Sequence, residues 1–598
     1  MEATVETPPE TLPRYSACLL CRSRKVKCDG GHPKCGRCRG SNQVCEYKYP
    51  VHTSRTRLLQ DKIKDIEDKI RAIEQRRESS ISAVSQACSI RNTPDSSPAN
   101  RNTLFSSPIS NDSCGLRSPP LAESVSYLLD SDFSSYPAAG CPCIEAAISG
   151  RLSSEGLDIS PDSLKCMLTI FVHRRGLTGY KLHTGRVLHN LSTSTKPVLA
   201  LLHAILLTAC HFAQDLELKS WETALLERTK SEIEANIVLA HGYGSGGYNA
   251  LYHLQAMLIL SQYYFFKSRM LEGHFYTNNT IQFAIAMGVH RLDSRMIGDY
   301  TPAVDLKPRL KRGRWQPQDS VELGEAINLL WGCVARDLIG GVMNGLPPSL
   351  PPEEITTVWP FPLAAYMENL TLPNDHYSVK ELLDPDSSST VADVSRDNAA
   401  CLLIKALVLV HYAGKFDTER VSKPKLTSEW WARFEDCDYA IQRFIETVPS
   451  FDTGRSPEEV SHLVLAHTTI DCATLQLHGA LAEYEPSWGT QGDLDQYNRP
   501  NGRSYARCIA ACRNIALVTT RLECVDLSYM HMFIAVTWIC AGSVLAKQIR
   551  RLRECNCTEQ LHTMEQDMLI LERNMERFLK TYPIFNPWVE QLRAARNW

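Results

Sequence analysis

Apolar residues recur at helical spacing through the C-terminal three quarters of the chain. Leu251, Leu254, Leu258 and Phe265 share one helix face, and Ile281, Ile285 and Val289 repeat every four residues. Ile327, Leu330, Trp331, Val334 and Leu338 follow i, i+3, i+4, i+7 and i+11, the stripe of a helix with one buried side. Further apolar helices are predicted near residues 197–213, 401–413, 463–481, 505–522 and 530–549. Alternating strand patterns are scarce. Residues 141–598 are therefore expected to form an all-α body, large enough for an extensive core. The longest candidate membrane run, 530–546, contains His531, Thr537 and Ser543 and reads as a buried helix, so no membrane partner is expected.

Upstream of the body the pattern changes twice. Leu59, Ile63, Ile66, Ile70 and Ile73 are spaced 4, 3, 4 and 3, the heptad seam of a coiled coil, with Thr56, Ile63, Ile70 and Arg77 at position a. In a parallel pair Lys62 and Lys69 at g would face Glu67 and Glu74 at e of the partner, both of opposite sign, which predicts a homodimer. A single amphipathic helix packed on the body would show the same stripe without the charge match. Between 79 and 120, half of the residues are Ser, Pro or Asn, a composition that cannot bury enough apolar surface to order itself. The expected organisation is a small module over 14–48, a connector and dimerisation element over 49–78, a disordered linker over 79–140, and the helical body over 141–598. The stretch 124–136 mixes acidic and bulky apolar residues, as activation segments do, and also reads as the entry to the body.

The net charge of the 598 residues is only −3, which argues against a general nucleic-acid binder. The distribution changes that picture. From Arg14 to Arg57 eleven Lys or Arg stand against Asp29 and Glu46, a basic head on an acidic body, so phosphate contacts are expected in one small region. The N-terminus, MEATVETPPE, has no apolar stretch of a secretory signal, which points to a reducing compartment and to cysteines that are metal ligands or buried thiols.

Six of the 22 cysteines fall in that basic head, at Cys18, Cys21, Cys28, Cys35, Cys38 and Cys45. Adding 17 to the first three gives the last three, so a three-cysteine half is repeated. Structural zinc takes four soft ligands in a tetrahedron; six thiolates fill the eight positions of two Zn2+ ions only if two sulfurs bridge. A matching cysteine from each half is the natural bridge. Such a site has no open coordination place and no catalytic role, and its metal supplies most of the folding free energy of a segment this short. The halves differ in what fills their six-residue gap: Arg22, Ser23, Arg24, Lys25, Val26 and Lys27 in the first, Arg39, Gly40, Ser41, Asn42, Gln43 and Val44 in the second. Only the first is an electrostatic reader, and Arg and Lys can donate to guanine O6 and N7. A basic patch that holds phosphate without reading sequence is the alternative.

The spacing, the run RSRKVK and the step Pro33-Lys34-Cys35 resemble the fungal Zn2Cys6 binuclear cluster family of transcription factors. The resemblance implies that Cys18 and Cys35 bridge the zincs and that a helix starting near Cys18 enters the major groove, usually over a CGG-type triplet. It further implies that Arg24 and Lys25 read bases while Arg22 and Lys27 meet phosphate. In the body, HFYTNNTIQFAIAMGVHRLDS (274–294) and LLWGCVARDLIGGVMNGLPPSLPPEEI (329–355) resemble the fungal-specific transcription factor domain, the middle homology region. Where that family usually carries a basic run before the tryptophan, this chain has Glu325, Ala326, Ile327 and Asn328.

No nucleophile-and-base arrangement is present. Gly242, Gly244 and Gly247 satisfy G-x-G-x-x-G but follow no strand, and read as a flexible loop. The histidines at 203, 211, 253, 411, 462, 467 and 478 lie on apolar helices and read as core or surface-lining residues. The basic loop 307–314 reads first as solvated and second as an import signal. The sequence thus predicts a nuclear, non-enzymatic, zinc-dependent dimeric transcription factor of RNA polymerase II genes that binds double-stranded DNA and meets the transcription machinery or co-regulators. An enzyme fused to a DNA-binding module is the alternative class.

Overall fold

The structure, a computed structural model, describes residues 18–29, 34–41 and 43–45 near the N-terminus. Beyond them it describes 142–241, 247–292, 315–367, 379–384, 393–422, 426–450, 455–483, 502–554 and 558–597. The chain divides into two compact units, residues 1–115 and 116–598. The coiled-coil positions Leu59 to Ile73, the linker and the basic loop 307–314 lie outside the described residues.

Among the described residues of the first unit are two one-turn helices, α1 (Leu19–Ser23) and α2 (Gly36–Gly40), one in each cysteine half. Its interior is sulfur: Cys18, Cys21, Cys28, Cys35 and Cys38 are buried, with Leu20, Val26 and Cys45 packed against them.

The second unit is all-α among its described residues. Its N-terminal half comprises α3 (Pro142–Ser154), α4 (Pro161–Arg174), α5 (Thr184–Thr193), α6 (Leu199–Phe212), α7 (Leu216–Ser220), α8 (Glu222–His241), α9 (Ala250–Phe266), α10 (Met270–Met287) and α11 (Ser320–Asn344). Helix α9 is central, packing on α6, α8 and α10, and is buried from Leu251 to Phe265 on every face. The C-terminal half comes after two short helices, α12 (Leu363–Met367) and α13 (Val379–Leu383). It comprises α14 (Ala399–Ser422), α15 (Ser428–Thr447), α16 (Pro457–Ala482), α17 (Arg503–Thr520), α18 (Ile534–Glu554), α19 (Thr558–Leu579) and α20 (Asn586–Asn597). Here α16 is central, packed on α14, α17 and α18, and α11 meets α14 to join the halves in one core.

Local chemistry sets the helix ends. Asn249, Asp319 and Thr427 each accept a backbone N–H at the start of α9, α11 and α15, and Ser456 forms a capping box with Glu459 ahead of Pro457. Gly288 and Gly345 end α10 and α11 in the left-handed conformation that side chains avoid. The stripe Ile327, Leu330, Trp331, Val334 and Leu338 is buried as predicted, and the Trp331 ring stacks on Trp359 with centroids 4.6 Å apart. Residues 527–533 come ahead of α18, so the helix predicted to begin near 530 begins at Ile534. Among the described residues α14, rather than that segment, is long and apolar enough to cross a membrane, and most of it is buried in the body.

The segments 274–292 and 329–355 lie side by side. Asp337 accepts the amides of Ser349 and Leu350, Ser349 Oγ donates to Asn278 Oδ1 at 2.6 Å, and Thr356 and Thr357 amides donate to the His290 carbonyl. The departure at 325–328 is structural: Glu325, Ala326 and Ile327 are interior, Glu325 accepts the His183 amide at 2.7 Å, and Asn328 donates to the Phe361 carbonyl. Desolvation pushes the Glu325 carboxyl up to about 7. The cysteine expectation holds for part of the body only: Cys210, Cys333, Cys401, Cys437, Cys508 and Cys512 are buried thiols, whereas Cys166, Cys524 and Cys540 are exposed and Cys143 is disulfide-bonded.

Candidate zinc cluster and nucleic-acid interface

The six sulfurs form two groups of four. Cys18, Cys21, Cys28 and Cys35 make one, Cys18, Cys35, Cys38 and Cys45 the other, with all sulfurs of each group within 4.8 Å of one another. Cys18 and Cys35 belong to both. A tetrahedron with zinc–sulfur bonds of about 2.3 Å has sulfur–sulfur edges of about 3.8 Å. The measured edges within a group are 3.8 Å for Cys18–Cys35, 3.7 Å for Cys18–Cys38 and 3.8 Å for Cys21–Cys35. The donor set fits tetrahedral thiolate coordination in which Cys18 and Cys35 are shared.

The 17-residue repeat extends from the cysteines to the backbone. Cys21 N–H donates to Cys18 Sγ and Cys38 N–H to Cys35 Sγ, each at 3.4 Å. Arg24 N–H donates to the Leu20 carbonyl and Ser41 N–H to that of Arg37; Val26 N–H donates to the Cys21 carbonyl and Gln43 N–H to that of Cys38. Each half is therefore the same loop: a sulfur that caps one helical turn, then a closing bond that brings the chain back toward the cluster. Cys45 Sγ likewise accepts the Cys35 amide at 3.3 Å.

The closing turn of the first half presents its cations. Arg24, Lys25 and Lys27 are exposed. Helix α1 starts beside Cys18 as the resemblance implies, but ends at Ser23, so Arg24 and Lys25 stand on the turn that closes it rather than within it. Lys25 has φ 51°, the left-handed region, which costs a non-glycine residue about 1–2 kcal/mol; the Val26-to-Cys21 bond at 3.0 Å spans it. The backbone of Arg22 lies within α1.

One structural residue was missed in the sequence. The Asp29 carboxylate accepts the Gly36 amide at 2.8 and 3.0 Å, tying the first half to the start of α2. A Cβ at Gly36 would stand 2.6 Å from Asp29 Oδ2, so the position is held small by this contact. The signal was present as an aspartate right after the third cysteine and a glycine right after the fourth. Arg39 in the gap of the second half and Arg37 outside it are also exposed, so the second half presents cations of its own.

Residues 16–54 match the fungal Zn(2)-Cys(6) binuclear cluster domain, and residues 169–399 match the fungal specific transcription factor domain. The N-terminal module is a fungal zinc-cluster domain. Its metal is zinc, held by the cysteine cluster, and the chain pairs it with a fungal transcription factor domain that runs from α4 to the first residue of α14. The chain is 36% identical over 114 residues to the notoamide biosynthesis cluster transcriptional coactivator of Aspergillus versicolor, covering 19% of this chain and 20% of that protein. It is 43% identical over 54 residues to the depudecin biosynthesis cluster-specific transcription activator of Alternaria brassicicola, 9% of this chain and 8% of that one. The sorbicillinoid biosynthetic cluster transcription factor of Hypocrea jecorina is 50% identical over 38 residues, 6% of each chain. The chain thus spans a fifth or less of the length of these curated relatives. No solved structure matches it.

Proposed function

We propose that this protein is a sequence-specific, DNA-binding transcription regulator that acts in the nucleus as a dimer, with two Zn2+ per chain bridged by Cys18 and Cys35. The observation that carries the reading is the pair of sulfur tetrads sharing two cysteines beside a turn that exposes Arg24, Lys25 and Lys27. Filled coordination at every zinc leaves the metal a structural role: it fixes the turn, and the turn offers cations to the groove. Arg24 and Lys25 read a G-rich triplet of the CGG type, Arg22 and Lys27 hold phosphate, and Leu59, Ile63, Ile66, Ile70 and Ile73 pair two chains so that two triplets are read together. The module occupies 14–48, the dimerisation element lies within 49–78, and the body from 141 receives the regulatory signal and meets the transcription machinery or co-regulators. No catalytic step is assigned to the chain.

Selection of bound sites from random double-stranded DNA by the full chain tests this reading. Recovered sites should hold paired CGG-type triplets. Lys25→Ala should cost about 1–3 kcal/mol at one base pair of the triplet, whereas Lys27→Ala should weaken all sequences alike. Recovery of no common sequence, or equal weakening of specific and random DNA by Lys25→Ala, would show a basic patch that only holds phosphate. Replacing Ile63 and Ile70 by Asp should leave zinc in place and remove the preference for paired over single triplets.

A further inference from the structure

Among the described residues, the buried cations of the helical body are paired except at one. Lys405 on α14 is fully buried and sits 2.6 Å from Asp397, and its ammonium lies over the Trp359 ring. The buried Asp438 on α15 is bonded by His478 Nε2 at 3.0 Å and by Arg503. Arg336 on α11 is 4% exposed, yet no carboxylate stands within 4 Å of it among the described residues. Its Nε donates to nothing, its Nη1 lies 3.4 Å from His531 Nε2, and its guanidinium carbon is 5.6 Å from the Phe533 ring centroid. The adjacent carboxylate, Asp337, is bonded instead to Ser349 and Leu350. Burying an ion without a counter-ion costs several kcal/mol, and a fold keeps such a group only when something offsets that cost.

Arg336 borders a cavity of about 330 Å³ between α11, α14, α16 and the loop 175–184. That size suits a small organic molecule. Two features of the lining decide which kind. Charged side chains around it are Arg175, Lys181 and Arg336 against Glu458, an excess of positive charge; His462 and His531 are held neutral by desolvation, and burial brings Arg336 down only to about 9, so it stays protonated at neutral pH. The rest of the lining near Arg336 is apolar, with Trp331, Ala335, Ile339 and Leu403. Gly179, at φ 76°, brings the loop against the guanidinium, where a Cβ would lie 3.2 Å from Nη2. Pro362 and Ala364 line the cavity and are exposed, so it opens to solvent.

We infer that this cavity is a binding site for a small organic anion, whose anionic group pairs with Arg336 and whose apolar part lies against Trp331, Ile339 and Leu403. Bound there, the anion touches helices from both halves of the body. The site stands apart from the DNA-binding reading and holds or fails without it.

A matched pair of fluorescent probes tests it on the full chain: 8-anilinonaphthalene-1-sulfonate, an anion, and N-phenyl-1-naphthylamine, the same skeleton without the charge. The anion should bind with one site per chain and at least about tenfold more tightly than the neutral probe. Arg336→Met should abolish that difference, Arg336→Lys should keep most of it, and Arg336→Met without probe should melt no lower than the parent chain, since it removes an unpaired charge. Absence of saturable binding, equal affinity for both probes, or undiminished anion binding by Arg336→Met would overturn the site. Should Arg336→Met fail to fold, Arg336 is needed for the fold in the absence of any ligand, and the inference is overturned on that ground. Ala335→Leu, which fills the cavity, should weaken anion binding at least about tenfold; unchanged binding would place the anion elsewhere.

Discussion

The two units solve the same problem, how to close an interior, with opposite materials. Among the described residues of the zinc-cluster domain the buried core is five cysteines, and the hydrocarbon packed beside them is Leu20 and Val26. In the body the core is a continuous mass of aliphatic and aromatic side chains running through both helical halves. The units also cancel interior charge differently. Six thiolates need a cation, so the module is expected to fold only with its metal, whereas among the described residues the body pairs its buried ions, protonates them, or, at Arg336, leaves one without a carboxylate partner. The two units should therefore fail under different insults.

Removal of zinc gives the largest expected separation. A strong chelator should abolish the fold of residues 18–45 and all specific DNA binding, while the thermal transition of the body stays where it was. Calorimetry of the full chain with and without chelator checks this; a body transition that moves with the metal would break the comparison. The reverse insult is Trp331→Ala, which removes a buried ring stacked on Trp359 and the hydrogen bond from its Nε1 to the Val358 carbonyl at 2.7 Å. It should destabilise the body by about 3–5 kcal/mol in denaturant titration and leave the zinc content unchanged.

A pH-dependent effect comes from Asp471, buried on α16, where desolvation pushes the carboxyl up to about 8 while Asn514 donates to it at 3.3 Å. Its folded pKa lies above the unfolded value of about 3.9, so the native state holds the extra proton between the two. This contribution is fully present below about pH 4 and is lost as pH rises toward 8. Asp471→Asn should therefore flatten the fall in melting temperature between pH 5 and 8. A fall of unchanged slope would assign it to other groups, Glu325 first among them.

The module was legible in the sequence almost to its geometry. A repeat of 17 residues in cysteine position reappears as a repeat in hydrogen bonds, because each half must return its chain to the same sulfur cluster. Spacing could not supply the conformation of Lys25 beyond the end of α1, set by the closing turn, or the Asp29–Gly36 tie, which links residues seven apart through a side chain. The body was legible as helices and hidden as a site. Periodicity marks Trp331, Val334 and Leu338 as interior, but Arg336 between them reads as a position that should face solvent. Its burial depends on His531 and on the loop at Gly179, contacts between parts of the chain that no local pattern connects. Glu325 was visible as a departure from a family pattern, and only the packing at His183 gives it a reason.

The sharing of Cys18 and Cys35 between two tetrads is the feature on which most depends, and native mass spectrometry of the full chain reads it directly as bound zinc. Two Zn2+ per chain are predicted, and Cys35→Ala should lose both together, because the removed sulfur serves each metal. One zinc in the parent chain, or a Cys35→Ala variant that keeps a stable single zinc and undiminished DNA binding, would contradict the bridged cluster and with it the reason the basic turn has a fixed shape.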